Sequence, residues 1–506
     1  MMTEVKQMKK SIWKRPGWYF FLVLAVLSIV TLVQAGILGV LPVQYLAIGG
    51  VVVALVDALL YLMLVSPRIN KVNRVLGFIL CVAIIAVFAV GNVYLFRTNT
   101  VLDNISHEGQ QKNVISVIVM DNSDIQRIED IQGAIGMAKR IDTEGTQGLL
   151  KDLKDKSNLT PQTKEYNSLA DLANGLYGSD CDAIILNESY RSMISDEEKY
   201  ENFDKETRVI YSYTYYTEIQ QTTKNVNVAE DPFTVLVSGI DTYGAIGTTS
   251  RSDVNMLVTV NPTTKCIQLV SIPRDYYVQT QCDEGSGCAV GEMDKLTHTG
   301  LHGVDTTKRT LENLFGIEIN YTLRVNFSSV EEIVDALGGI TVNNTDGYAF
   351  SIGGYDFTKD MLQLNGEQAL MFSRERKSFA EGDRERGRNQ MRVIQGMIDK
   401  ATSSAIVTNY ISFLNAVEGS FETDMSAEEI KTLVQAQISN MGGWNVGTMS
   451  VDGTGGTDFC YELQNNAYVM YPDMDTVEAA VKAIQDVQNG LNPTSDRSEE
   501  RRVGKE

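Results

Sequence analysis

The first hundred positions are almost wholly apolar, with polar residues confined to short breaks. Three runs, about Trp18 to Leu38, Val43 to Val65 and Leu76 to Phe96, are each long enough as helices to cross a hydrocarbon core of roughly 30 Å. Beyond Thr98 the pattern changes to short apolar runs set between polar breaks. Val114 to Met120 reads as a buried strand, Asp130 to Lys139 as a helix-bearing stretch, and Cys181 to Asn187 as another strand. From Asp231 the strands strengthen: Phe233 to Ser238, Val254 to Val260 and Ile267 to Ile272, the last two joined by the turn Asn261-Pro-Thr-Thr264. Ser328 to Glu332 reads as a capping box whose helix ends at Gly338-Gly339. Asn365 begins another helix, Asp383 to about Ala401 a longer one, and Ser426 to Asn440 repeats the capping box with Glu429. Strands alternating with helices predict an α/β chain: an extracytoplasmic α/β/α layered domain on a central mixed sheet, a smaller α/β accessory domain, and three N-terminal transmembrane helices. The expected boundaries are 1–97 for the cytoplasmic N-terminus and spans, 98–221 for the accessory domain and 222–230 for a linker. The main domain is expected at 231–485, with a motif core at 233–402, and a disordered tail at 486–506.

Charge refines this picture. Lys6, Lys9, Lys10, Lys14 and Arg15 precede the first span, and Arg68, Lys71 and Arg74 fill the second connection, whereas Gly39 to Gln44 carries no positive charge. By the positive-inside rule the N-terminus is cytoplasmic and the third span exits outside, which places the rest of the chain on the extracytoplasmic face of the plasma membrane. None of the runs resembles a cleaved signal peptide. Asp57, inside the second span, is read as a helix-packing or oligomer contact, with a functional intramembrane acid as the alternative. The formal net charge of −20 excludes generic nucleic-acid binding, which depends on Lys and Arg neutralising the backbone. Among six cysteines, Cys282 and Cys288 bracket a Gly-rich loop suited to a local disulfide, and Cys266 reads as a buried thiol. Three histidines and no Cys/His cluster at zinc spacing speak against zinc. The last ten residues, Arg497 to Glu506, match a translated sequencing-library adapter, and the natural chain is expected to have been cut off after about Asp496.

Against this acidic background, Arg374, Arg376, Lys377, Arg384, Arg386, Arg388 and Arg392 crowd into one short stretch. They are either a solvated helix face balanced by Glu381, Asp383 and Glu385, or a phosphate cradle, since the guanidinium fork matches phosphate oxygens two at a time. Acids and arginines also stand at strand ends: Asp241 after the first strong strand, Arg251 and Asp253 before the second, Arg274 and Asp275 after the third. Loops beyond strand ends are where α/β sheets bind ligands. Paired aspartates near phosphate suit Mg²⁺ or Mn²⁺, hard ions satisfied by oxygen.

These strings occur in order: Val235-Leu-Val-Ser-Gly-Ile-Asp241, Ser250-Arg-Ser-Asp253-Val-Asn-Met-Leu, Leu269-Val-Ser-Ile-Pro-Arg274-Asp275 and Asp294-Lys295-Leu-Thr-His. Then come Val334-Asp-Ala-Leu-Gly-Gly, Leu364-Asn-Gly-Glu-Gln-Ala-Leu, and Phe372-Ser-Arg374-Glu-Arg376 through Gly382-Asp-Arg-Glu-Arg386-Gly-Arg-Asn-Gln390. Together they closely resemble the LytR-CpsA-Psr family, and the three-span anchor with an accessory domain is similar to its capsule-associated members. The resemblance implies a phosphotransferase joining capsule polysaccharide, teichoic acid or a related polymer to peptidoglycan. Its donor is a polyprenyl pyrophosphate-linked glycan whose lipid tail lies in an apolar tunnel under the sheet. Carried over, Asp241 and Asp253 hold Mg²⁺, while Arg251, Arg274, Arg374, Arg376, Arg386 and Gln390 grip the pyrophosphate beside Lys295. Asp275 orients Arg274, and Asp241 is preferred to Asp253 as the base. Many relatives read Arg-Gln where Asn389-Gln390 stands here, which leaves open whether Arg388 takes the missing contact. The rival readings are a polyprenyl pyrophosphate phosphatase on the same fold, a membrane-bound transcriptional attenuator and a non-catalytic lipid-binding scaffold.

Overall fold

The computed structural model describes residues 15–39, 41–105, 110–218, 226–240, 247–282, 288–345, 347–380, 382–403, 416, 419–440 and 442–495. The chain divides into two compact units, one of 1–105, 410–418 and 426–442, the other of the remaining residues.

The first unit contains three helices long and apolar enough to cross a membrane: α1 (Pro16–Leu38), α2 (Val43–Val65) and α3 (Lys71–Ile105). Leu24, Leu60, Leu64 and Cys81 form their shared interior, while most other apolar side chains face outward, as a lipid-facing bundle requires. Ser28 Oγ donates to Asp57 Oδ1 at 3.3 Å, so Asp57 serves as a contact between α1 and α2. The helix Ala427–Ser439 groups with this unit, where Ile430 and Ile438 pack with Leu38 and Leu95. Its cap is as expected: the Ser426 side chain accepts from the Glu429 N–H.

In the second unit the accessory portion begins with β1 (Gln110–Met120), β2 (Ile135–Ala138), α4 (Thr143–Ser157), β3 (Thr163–Tyr166), α5 (Leu169–Tyr177), β4 (Ala183–Asn187), α6 (Arg191–Ser195) and β5 (Thr207–Glu218). The sheet order is β3-β2-β4-β1-β5, with β2 parallel to both neighbours and β1 antiparallel to β4 and β5. The stretch 130–139 is not the expected helix: a single turn at Ile128–Asp130 leads into β2. Pairing on both sides and complete burial of Ile135 override the local pattern there.

The main domain runs β6 (Phe233–Gly239), β7 (Val254–Asn261), β8 (Cys266–Ile272), α7 (Val304–Phe315), β9 (Tyr321–Val325), α8 (Phe327–Ala336), α9 (Gly366–Arg374), α10 (Asp383–Ala401), β10 (Phe421–Thr423), β11 (Asn445–Ser450) and α11 (Met474–Gln488). Its mixed sheet has the order β10-β9-β6-β7-β8-β11. One face packs on α7 and α11 through Leu311, Phe315, Val477 and Ile484, the other on α10 through Met391. This is the layered architecture read from the sequence. The cap of α8 lies two residues earlier than expected, because Asn326 Oδ1 accepts from both the N–H and the hydroxyl of Ser329, at 2.9 and 2.8 Å. Cys282 and Cys288 are disulfide-bonded, and Cys266 is a buried free thiol.

Candidate active site

Register explains why distant motifs meet. In the antiparallel sheet Gly239 pairs with Val254 and Asn255 with Ile272, so the loop before β7 and the loop after β8 leave from one edge. There Asp253 Oδ1 accepts from Arg274 Nη1 at 2.7 Å and from Thr297 Oγ1 at 3.0 Å. Arg251 Nη2 stands 3.7 Å from Asp253 Oδ2, an oxygen that accepts no hydrogen bond from the described residues. Burial would raise the Asp253 pKa, but Arg251 and Arg274 outweigh it and hold the carboxyl below its ordinary value. Conversely, burial works against the charge of Arg274, while Asp253 and Asp275 hold its pKa above the ordinary range. Asp275 Oδ2 lies 3.8 Å from Arg274 Nε and Oδ1 accepts from Lys295 Nζ at 3.3 Å.

The other wall is α10. Arg386 and Gln390 lie one turn apart and so project from the same side of the helix. Gly387 allows close approach, since a Cβ there would stand 2.5 Å from Ser271 Oγ on β8. Burial, opposed by Asp383 and reinforced by Arg274, brings the Arg386 guanidinium below its ordinary pKa. An anion between Arg274 and Arg386 relieves that crowding of positive charge. The cleft so formed is lined by Asp253, Asn255, Arg274, Arg384, Arg386 and Gln390 among others, with about 350 Å³ of empty space, part of it open to solvent.

Not every expected residue converges on the cleft. Arg388 does not line it: two positions from Arg386 on an α-helix means a rotation of about 200°, and its guanidinium pairs at 3.2 Å with the buried Glu385. Arg374 is exposed, with its guanidinium 3.9 Å from the centre of the Phe327 ring, and Arg376 is exposed as well. Lys295 faces Asp275, and Arg251 is buried behind Asp253 rather than on the cleft wall. Asp241 lies outside the described residues. The structure adds Arg384, which pairs with Asp452 and donates to the Gly453 carbonyl at 3.1 Å, and Thr297. Arg384 stood in the arginine run, and Thr297 stood in the Asp294-Lys-Leu-Thr-His motif without a role of its own. Among the described residues no three acidic, His or Cys side chains gather as a metal cage.

The loop at 250–253 is wedged against the turn Leu296–His302. A Cβ on Gly300 would stand 2.5 Å from the Ser252 nitrogen and 2.8 Å from the Ser250 carbonyl oxygen. Gly300→Ala is therefore expected to destabilise the protein by about 1–3 kcal/mol, measured as a lower denaturant midpoint of the solubilised chain.

A family model described as the LytR_cpsA_psr family matches residues 194–486. The polyisoprenyl-teichoic acid–peptidoglycan teichoic acid transferase TagU of Bacillus licheniformis is 37% identical over 201 residues, covering 40% of this chain and 62% of that one. The protein of the same name from Enterococcus faecalis is 36% identical over 283 residues, covering 55% and 86% respectively. The chain thus spans less than two thirds of the first relative. A crystal structure of Bacillus subtilis TagU, 31% identical, is matched over 53% of this chain and 100% of that one with a TM-score of 0.38.

Proposed function

The chain belongs to the LytR-CpsA-Psr family, and from that premise we propose that it is a membrane-anchored phosphotransferase. It moves a glycopolymer, capsule polysaccharide, teichoic acid or similar, from a polyprenyl pyrophosphate carrier to a sugar hydroxyl of peptidoglycan. One observation carries this reading: in a chain of net charge −20, Arg274, Arg384, Arg386 and Gln390 face one small cleft at a sheet edge. Such a set of forks and donors suits a diphosphate. The relatives named as teichoic acid transferases support the same substrate class.

In the reaction the acceptor oxygen attacks the glycan-bearing phosphorus. One P–O bond forms, the P–O bond to the polyprenyl phosphate breaks, and that monophosphate leaves. Transfer of this kind requires in-line positioning and charge stabilisation more than covalent participation. Arg274 and Arg386 supply the stabilisation on the cleft wall. The hydroxyl proton passes to a carboxylate. Asp253, held ionised by two arginines, is a weak acceptor, which favours Asp241 as the base. Asp253 Oδ2, buried without a hydrogen bond from the described residues, suits one ligand of a magnesium ion, and the family resemblance assigns the second to Asp241. When bound, such an ion neutralises charge on the phosphoryl oxygens.

The lipid tail is proposed to lie on the sheet face toward α10. Val258, Val260, Leu323 and Val325 on the strands and Ile394 and Ile398 on the helix are only partly buried, where a closed core would bury them. Val258→Trp is expected to raise the KM for a long polyprenyl donor about tenfold or more, and to leave a short-chain donor within about twofold. Steady-state transfer with both donors measures it. The basic residues before α1 and after α2 support a cytoplasmic N-terminus with the cleft outside, on the side of the cell wall.

The test incubates the solubilised chain with labelled lipid pyrophosphate-linked glycan, Mg²⁺ and peptidoglycan. Label covalently bound to peptidoglycan is the expected result. Release of free glycan phosphate with no label in peptidoglycan overturns the transferase in favour of a phosphatase.

A further inference from the structure

Arg251 occupies an unusual place for a phosphate-binding arginine. Its side chain is 8% exposed and lies off the cleft wall. One terminal nitrogen is 2.5 Å from Asp196 Oδ2, and the other is 3.7 Å from Asp253 Oδ2. Asp253 in turn holds Arg274 at 2.7 Å, and Arg274 does line the cleft. Charges alternate along this line from the accessory portion into the site.

Three further hydrogen bonds bind the same loop to the accessory portion. The Lys112 N–H of β1 donates to the Gly247 carbonyl at 2.8 Å, and the Thr249 N–H donates to the Lys112 carbonyl at 3.1 Å. Thr249 Oγ1 also donates to Asn113 Oδ1 at 2.6 Å. The segment entering Arg251 and Asp253 is therefore an added rung on the accessory sheet. Asp196 sits on a fixed base as well: it follows α6, whose Met193 and Ile194 are buried beside Tyr200 and Phe203.

Resting on the transferase reading, we infer that Asp196 is a positioning residue for the reaction, acting through Arg251 on Asp253 and Arg274. The physical reason is a division of the guanidinium between two acids. With Asp196 holding one nitrogen, Arg251 cannot close both onto Asp253 in the bidentate grip that arginine and carboxylate prefer. Asp253 Oδ2 then stays open, and Oδ1 stays with Arg274. Loss of the Asp196 charge lets Arg251 settle wholly on Asp253, loosening Arg274 and covering the open oxygen. Asp196 is itself 57% exposed, so the pair adds little to folding stability.

The experiment measures transfer to peptidoglycan by the full chain. Asp196→Asn is expected to lower kcat about tenfold or more, as loss of a supporting partner does at other polar sites. The KM for the lipid-linked donor stays within about threefold, and the unfolding midpoint hardly moves. Asp196→Glu restores most of the rate, and the exposed neighbour change Glu198→Gln leaves it as it was. In an Arg251→Gln background, adding Asp196→Asn costs nothing more, because the path is already cut. Wild-type transfer by Asp196→Asn alongside an inactive Arg274→Ala overturns the inference and leaves the transferase reading standing. Full multiplication of the two losses in the double variant also overturns it. Wild-type transfer by Arg274→Ala overturns both.

Discussion

Arg274→Ala is expected to lower transfer by a factor on the order of 10²–10³, the usual cost of removing one preorganised donor from developing phosphoryl charge. The loss should appear in kcat as well as kcat/KM, since the donor matters most when the equatorial oxygens carry charge. Arg274 is well placed for it. It is held by Asp253 at 2.7 Å, flanked by Asp275, and still presents its fork to the cleft. Arg274→Lys is expected to recover only part of the rate, because a lysine ammonium keeps the charge and loses the planar fork. Label counting in purified peptidoglycan measures both variants, and a lysine variant as fast as wild type would show that charge alone suffices.

Asp253→Ala is expected to be the most damaging change to stability near the site. It leaves Arg251 and Arg274 buried with their common carboxylate gone, and breaking a buried pair in this way costs about 3–5 kcal/mol. Transfer should fall with it. Asp253→Asn, which keeps the shape and part of the hydrogen bonding, separates charge from packing. The acid limb gives an independent check. Because the folded carboxyl sits below its ordinary value of 3.8, its ionised form stabilises the fold fully above that value. That contribution is lost as pH falls from there through the depressed folded pKa. The stability gap between wild type and Asp253→Asn should therefore be constant at neutral pH and shrink only below about pH 4. A gap that is flat down to the acid unfolding limit would show that the carboxyl is not depressed.

The sequence alone determined the three apolar helices, the strands β6, β7 and β8, and the helix α10, because each announces itself by period, length and punctuation within a short window. It also singled out Asp253, Arg274 and Arg386, since arginines and strand-end acids stand out in an acidic chain, while Gln390 came only from the family resemblance. Local pattern failed where long-range partners decided the outcome. Within the stretch 130–139, residues Ile135–Ala138 became a strand by pairing on both sides. Only the tertiary structure sorted one arginine from another. Arg386 and Arg388 are equivalent in composition, yet helix rotation sends one to the cleft and the other to Glu385. Likewise Arg251 and Arg274 flank the same acid, and burial beside Asp196 takes the first out of the cleft. Residue type fixes what a side chain is able to bind, and periodicity fixes its element. Which neighbour it meets depends on register and packing between segments far apart in the chain, and no short window of sequence contains that information.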